Sequence, residues 1–345
     1  MEFQKNSKIM KNSSNEKTYY DRKMDKYFVE KLIKDYPWLI SFVKDHECLD
    51  FQTVNNPKTK RSRLSIYRGT GRVLTFNFSP NGISWDAGRK YKELCPEFFK
   101  MPTKEIFEKY LDKIKEKNVF KRYYNDKENN RNEGYFQNLV GRRYTFQITE
   151  KDDFIIIDKE FVLGFENEKI KEKWNENIIK DVEQKIKEFK RLYNGKQPLP
   201  QEINNEYGEF DFLALNKEGD ILIMELKQNN PSKTALSPIQ VYFYYQQFKK
   251  LLEEDQGLYK NIIDMVVQKM DMGIISPIFK KKLPVRLSGK IVPCVIIGEC
   301  KGFSKTMCER YELAKKIFLP EELETYICEK DGSIKKTDNA RCIDR

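Results

Sequence analysis

The residues best suited to chemistry lie in one short stretch, Glu209–Lys227, where two carboxylates and a lysine interrupt apolar runs. The runs alternate with a period of two, as β-strands do, and a three-residue loop ending in Gly219 separates them. A loop of this length favours a hairpin with glycine at the left-handed position of the turn. In the register that this loop sets, Asp211 lies opposite Glu225.

Burial makes these charges unusual. Both faces of the hairpin are apolar, so we expect it to be covered on both sides and to lie centrally in a sheet. Facing carboxylates repel one another, and a buried unpaired charge costs more still. A divalent cation between Asp211 and Glu225 would remove the conflict, and Mg²⁺ suits two carboxylates with water and a phosphate. Lys227 points to the same side as Glu225 and can reach a water or a phosphate. The alternative is an ordinary ion pair of Lys227 with Glu225 or Glu209.

Composition narrows the classes of function. The chain has 345 residues and a formal net charge of +11, which fits a polyanionic partner or a mixed surface rich in lysine. Its one histidine, His46, argues against Ser-His-Asp and Cys-His catalysis. Seven cysteines without a CxxC pair argue against a zinc site and favour reduced thiols, so we expect a cytoplasmic protein. No apolar run approaches the length of a membrane span, so no membrane partner is expected.

The first part of the chain reads as a flexible polar arm, 1–23, followed by an α+β domain, 24–160. The patterns in this domain predict a helix, a three-stranded antiparallel meander, a second helix and a short strand, at Met24–Asp35, Leu49–Val54, Arg63–Arg68, Arg72–Phe78, Thr103–Lys117 and Phe154–Asp158. Its role is open between target recognition and a structural or oligomerisation function. The basic clusters Lys58–Arg63 and Lys280–Lys282 fit phosphate contacts and solvated loops equally.

The second part, 166–330, predicts a mixed central β-sheet flanked by helices, an α/β architecture. A long amphipathic helix ends near Asn194, and a C-terminal tail, 331–345, closes the chain. Between them the predicted elements are strands at Gln201–Asn204, Phe210–Leu215 and Ile221–Lys227, a helix at Ser237–Leu252, a strand at Val292–Gly298, a helix at Ser304–Phe318 and a strand at Thr325–Glu329.

The order of the charged residues resembles a known family. The order Glu209-Phe210-Asp211, thirteen intervening residues, then Glu225-Leu226-Lys227 is similar to the motif of the PD-(D/E)XK nuclease superfamily, with phenylalanine where the motif has proline. Gln240 and Tyr244 on the following helix resemble the QxxxY element of the RecB-like branch. The resemblance covers about residues 166–330. It implies a restriction-endonuclease-like core with the order αβββαβ.

The resemblance also implies roles for the motif residues. Asp211, Glu225 and the backbone carbonyl of Leu226 would hold Mg²⁺, for which Mn²⁺ can substitute. Lys227 would position or deprotonate the attacking water.

Further roles are implied for residues on helices. Gln240 and Tyr244 would orient the active site or a phosphate. Members of the family often add a glutamate from the helix before the hairpin, and Glu183 is the residue we assign, with Glu176 as a second choice.

The implied function is metal-dependent hydrolysis of phosphodiester bonds in nucleic acid. DNA is favoured over RNA, and endonuclease over exonuclease activity. A restriction, anti-phage defence or repair enzyme would fit, and a homo-oligomer is left open. Two alternatives stand beside this reading. One is a catalytically inactive nuclease-like module that binds nucleic acid or a protein, and the other is a hydrolase of small nucleotides.

Overall fold

The protein has a mixed α/β fold with two β-sheets flanked by helices, as the sequence predicts. The computed structural model describes residues 20, 22–56, 61–79, 82–94, 96–99, 103–116, 120–193, 210–228, 230–255, 257–299, 303–319 and 322–338. The predicted strand at Gln201–Asn204 and the residue Glu209 lie outside this set. None of the described helices is both long and apolar enough to cross a bilayer.

The first sheet is the predicted antiparallel meander, extended by a fourth strand. Alternate residues of its strands pack against helices to form one core, in which Leu64, Ile66 and Phe76 are fully buried. The sheet has the order β1-β2-β3-β4, with strands Asp50–Asn56, Arg61–Arg68, Gly71–Ser79 and Gly82–Asp86. The helices that precede and follow it are α1 at Lys26–Asp35, α2 at Leu39–Asp45, α3 at Arg89–Leu94 and α4 at Lys104–Glu116.

The second sheet has six strands and carries the hairpin. The hairpin strands are almost entirely apolar and buried, and they lie in the middle of the sheet. Its order is β10-β9-β8-β7-β6-β5, with strands β5 at Phe154–Phe161, β6 at Phe210–Asn216, β7 at Ile221–Lys227, β8 at Ile291–Ile297, β9 at Glu324–Cys328 and β10 at Ile334–Lys336. Strands β5, β6 and β7 are antiparallel neighbours, whereas β7, β8 and β9 are parallel. The sheet is therefore mixed.

The hairpin register is the predicted one. Leu213 pairs with Ile223 and Leu215 with Ile221, and Gly219 adopts a φ of 89° in the turn. The ladder between the two strands ends one residue before Asp211, at Phe212 and Met224.

Helices cover both faces of this sheet. On one face the apolar side of α5, Glu133–Arg143, packs on Phe212, Met224 and Leu226. On the other face the long helices pack on Leu213 and Ile223. They are α6 at Glu168–Leu192, α7 at Pro231–Glu254, α8 at Leu258–Asp271 and α9 at Lys305–Phe318.

Several segments differ from their predicted places. Strand β5 belongs to the six-stranded sheet and not to the N-terminal unit, because it pairs with β6, a long-range partner that the local pattern does not reveal. Tyr20 and Arg22 are buried and so are not part of an exposed arm. Strand β10 lies within the predicted tail and pairs with β9.

Helix α7 also begins earlier than predicted. Asn230 caps it by accepting a hydrogen bond from the amide of Lys233, and Pro231 occupies its first turn. The predicted helix start at Ser237 is wrong, because Ser237 and Pro238 lie inside the helix.

Candidate active site

Asp211, Glu225 and Lys227 form one nearly buried cluster at the end of the hairpin, with 8%, 3% and 8% of their surfaces exposed. Lys227 Nζ lies 2.5 Å from Glu225 Oε1. The amide nitrogen of Leu226 donates a hydrogen bond to Asp211 Oδ2 over 2.6 Å. The structure therefore brings together the three charged residues that the sequence selected.

Helix α5 adds two residues that the sequence analysis missed. Asn132 caps this helix by accepting a hydrogen bond from the amide of Tyr135, and the helix begins at Glu133. Gln137 lies one turn further on, and its amide Nε2 donates a hydrogen bond to Asp211 Oδ1. The charge of Glu133 acts on both Glu225 and Lys227. Helix α5 thus contributes one carboxyl and one amide to the cluster.

Burial sets the protonation of the carboxyls in the protein without a cation. Loss of solvation raises the pKa of Glu225 to about 8, although the nearby Lys227 ammonium opposes the shift. Burial and the charge of Asp211 raise the pKa of Glu133 to about 7. Burial also raises the pKa of Asp211, against Lys227 and the hydrogen bonds from Leu226 and Gln137.

The pKa of Lys227 is raised, whereas burial alone would lower it. The negative charges of Glu225, Asp211 and Glu133 outweigh burial and raise the pKa. Lys227 therefore stays a cation.

The donor set of the cluster fits a divalent cation. Glu225 Oε2 and Gln137 Oε1 are buried oxygens without a hydrogen-bond partner among the described residues. Such orphaned acceptors are rare in native proteins and call for an ion or a water. Within the described ranges, no three His, Cys, Asp or Glu side chains converge as a complete metal site. Asp211 and Glu225 would thus supply two ligands, and the remaining positions fall to a backbone carbonyl, water and phosphate, as is usual for Mg²⁺.

The other residues selected from the sequence lie outside the charged cluster. Tyr244 is buried in the core with its ring 5.2 Å from that of Phe210, and it accepts a hydrogen bond from Gln240 over 3.3 Å. Glu183 is exposed on α6, and Glu176 is exposed there too and pairs with Lys180. No interaction connects either glutamate to the cluster among the described residues. Helix α6 precedes the hairpin along the chain, but the glutamate whose charge reaches the hairpin comes from α5.

A cavity of about 390 Å³ opens beyond the C-terminal ends of β8 and β9. Its lining includes Arg131, Gly298 and Glu299, and the amide of Gly298 donates to the carbonyl of Lys227. Asp211, Glu225 and Lys227 do not line this cavity, which lies beside the residues that follow β8 and β9.

Part of the chain is similar to a known nuclease. A segment of 67 residues is 31% identical to Endonuclease NucS of Sulfolobus acidocaldarius. The match covers 19% of this chain and 26% of that protein, so the chain spans about a quarter of the relative's length. No protein-family model and no solved structure matches the chain.

Proposed function

We propose that the protein is a metal-dependent nuclease of the PD-(D/E)XK superfamily that hydrolyses phosphodiester bonds, with DNA as the favoured substrate and internal cleavage as the favoured mode. The observation that carries the proposal is the cluster of Asp211, Glu225 and Lys227, in which a buried carboxylate oxygen has no hydrogen-bond partner among the described residues. The partial likeness to an endonuclease supports it. Such an activity would serve a cytoplasmic enzyme of restriction, anti-phage defence or DNA repair.

Each residue of the cluster has a task in this proposal. Asp211 and Glu225, with the carbonyl of Leu226, would hold Mg²⁺ or Mn²⁺, which would supply Lewis-acid polarisation of a phosphoryl oxygen and a water of lowered pKa. The Lys227 ammonium orients the attacking water and offsets negative charge that develops at the phosphorus. Gln137 fixes the Asp211 carboxylate by its hydrogen bond. No histidine is needed.

The burial of the cluster and its internal ion pair also fit a second function. Lys227 is paired with Glu225 inside the fold, and all three charged residues are nearly buried. This arrangement also suits a protein that keeps the nuclease-like fold only to bind nucleic acid or a protein partner.

A cleavage assay separates the two functions. The substrates are supercoiled plasmid, linear duplex DNA, single-stranded DNA and RNA, each with Mg²⁺, Mn²⁺ or EDTA. The proteins are the wild type, Lys227→Ala, the near-isosteric Lys227→Met, and Lys187→Ala, a control that removes a lysine from the exposed side of α6.

The nuclease proposal expects cutting by the wild type and by the control only with metal. It expects both Lys227 variants to lose about 100-fold or more of the rate while keeping the wild-type circular dichroism. Cutting by folded Lys227→Met at the wild-type rate would rule out the proposed role. Binding without cutting under every condition would favour the binding module.

A further inference from the structure

Two adjoining cavities lie over the outer face of the four-stranded sheet. Their volumes are about 400 and 470 Å³, and both are lined by Tyr67, Arg72 and Glu160. Because they share these residues, they form one continuous depression. We call it the basic groove and define it by five of its lining arginines and one tyrosine: Arg61, Arg63, Tyr67, Arg72, Arg89 and Arg122.

The pattern of β2 explains why the groove is basic. Leu64 and Ile66 are fully buried in the core beneath the sheet. Arg61 and Arg63 alternate with inward-facing residues, so they stand on the opposite face, and both are exposed. Two residues along a strand span about 7 Å, so their guanidinium groups form a row. Arg72 on β3 pairs with Tyr67 of β2 and extends this row.

The central cations of the groove have no acidic partner in the part of the chain that the structure describes. Among the described residues, no carboxylate lies within ion-pair distance of Arg61, Arg63 or Arg72. Elsewhere in the fold arginines do have acidic partners, as in the pairs of Arg143 with Asp152 and of Arg131 with Glu299. A row of unpaired guanidinium groups on a rigid strand is suited to phosphates, which guanidinium binds through two parallel hydrogen bonds.

Three other arginines that line the groove already have partners, and one of them, Arg22, pairs with Asp158 over 3.3 Å. Arg89 pairs with Glu93, and the Arg122 guanidinium lies over the ring of Tyr123 at 4.4 Å from its centroid. Glu160 is the acidic residue that lines both cavities. The lining is therefore strongly positive overall.

The groove also adjoins the strand pair that carries the candidate active site. Glu160 lies on β5 between Lys159, which pairs with Phe212, and Phe161, which pairs with Phe210. These two ladder pairs flank Asp211. A polymer lying in the basic groove would therefore run along the strand next to the cluster.

We propose that the basic groove binds the phosphate backbone of a nucleic acid strand and leads that strand to the cluster. The inference rests on the proposed nuclease function for the identity of the polymer. Single-stranded and duplex nucleic acids share this backbone, and the experiment separates them. Arg61, Arg63 and Arg72 make the main contacts.

The test measures binding without cleavage, by fluorescence anisotropy of labelled single-stranded DNA, duplex DNA and RNA in EDTA, across about 50 to 200 mM salt. The groove variant is Arg61→Gln/Arg63→Gln/Arg72→Gln. The matched control is Lys169→Gln/Lys187→Gln/Lys190→Gln, which removes the same three charges from exposed positions on α6. Equal net charge in the two variants isolates the effect of location.

The groove variant should bind at least about tenfold more weakly than the wild type in the lower part of this salt range. Its plot of log affinity against log salt should be shallower by about 1 for each arginine, roughly 3 in all. The control should stay near the wild type. The oligonucleotide with the largest difference identifies the form that the groove takes.

Equal affinity and equal salt dependence of the groove variant and the wild type would overturn the inference, as would an equal loss in the control. Cleavage is scored separately with metal. If the groove variant binds weakly but the wild type never cuts, the groove stands and the nuclease proposal fails. If the wild type cuts and the groove variant binds as the wild type does, the nuclease proposal stands and the groove inference fails.

Discussion

The amide of Leu226 donates to Asp211 Oδ2 over 2.6 Å, just beyond Phe212 and Met224, where the regular ladder between their strands ends. The other oxygen of Asp211 accepts a hydrogen bond from Gln137 on α5. A carboxylate that accepts two hydrogen bonds from neutral donors is fixed in orientation. These hydrogen bonds favour its charged form and so partly oppose the rise in the pKa of Asp211 that burial causes. Asp211 thus joins the hairpin to a helix that precedes it by about seventy residues.

Replacing Asp211 should weaken cation binding. Asp211→Asn keeps the shape of the side chain but removes the charge that attracts a divalent ion. We expect the affinity for Mn²⁺, measured by calorimetry, to fall at least about 100-fold. The control is Asp153→Asn, which removes a carboxylate at an exposed position paired with Lys217. Unchanged Mn²⁺ affinity in Asp211→Asn would contradict its assignment as a ligand.

The helix glutamate that supports the site should be Glu133 and not Glu183. Glu133 acts electrostatically on Glu225 and Lys227, whereas Glu183 is exposed on α6. Glu133→Gln should lower the cleavage rate about 10- to 100-fold, the usual range for groups that support a metal site. Glu183→Gln should cleave as the wild type does. A loss confined to Glu183→Gln would restore the assignment made from the sequence.

Two glycines of α5 should respond oppositely to alanine. A Cβ on Gly134 would collide with the carbonyl oxygen of Tyr123, a backbone atom, so Gly134→Ala should destabilise the fold by about 1–3 kcal/mol. A Cβ on Gly141 would meet Phe212 at 3.5 Å, an ordinary contact, so Gly141→Ala should be neutral or stabilising by up to about 1 kcal/mol. Urea denaturation measures both, and equal midpoints would refute the predicted crowding at Gly134.

Stability without metal should fall as pH rises. The pKa of Glu225 is about 8 in the fold and 4.5 as its ordinary value, so between these limits the native state holds a proton that the unfolded state releases. The resulting stability is fully present below pH 4.5 and is lost as pH rises through 8. Glu133, with a pKa of about 7, contributes in the same direction.

The measurement is the free energy of unfolding in EDTA at several pH values. For the wild type we expect a decrease on the order of 1 kcal/mol or more from the acidic to the basic end of this window. Glu225→Gln cannot ionise and should show a smaller decrease, with a higher midpoint than the wild type at the basic end. A wild-type curve that rises with pH, or a variant curve of equal slope, would contradict the account.

The hairpin could be predicted from the sequence because its signals are local. Alternating apolar residues and a loop ending in Gly219 set the pairing of Leu213 with Ile223, and that pairing is confirmed. The charged residues at its end were therefore identified together. Their catalytic roles stay predictions, as do those of Gln240 and Tyr244.

Helix α5 could not be recognised in the same way. Its apolar stripe is short, and the helix also buries polar residues such as Gln137, Asn138 and Arg142 and contains two glycines, so the apolar periodicity by which helices are identified is weak. The cap at Asn132 was the one local signal available. Glu183 was selected because α6 is adjacent to the hairpin in sequence, but adjacency along the chain did not bring it to the cluster.

The position of β5 decides which fragments of this protein could exist alone. Strand β5 forms the outer border of the six-stranded sheet and satisfies the backbone N–H and C=O groups along one side of β6. A fragment cut at residue 166 would leave β6, whose residues are nearly all apolar, as an open edge able to pair with another copy. Such a fragment would also lack Gln137, so it would tend toward edge-to-edge aggregation and carry an incomplete site.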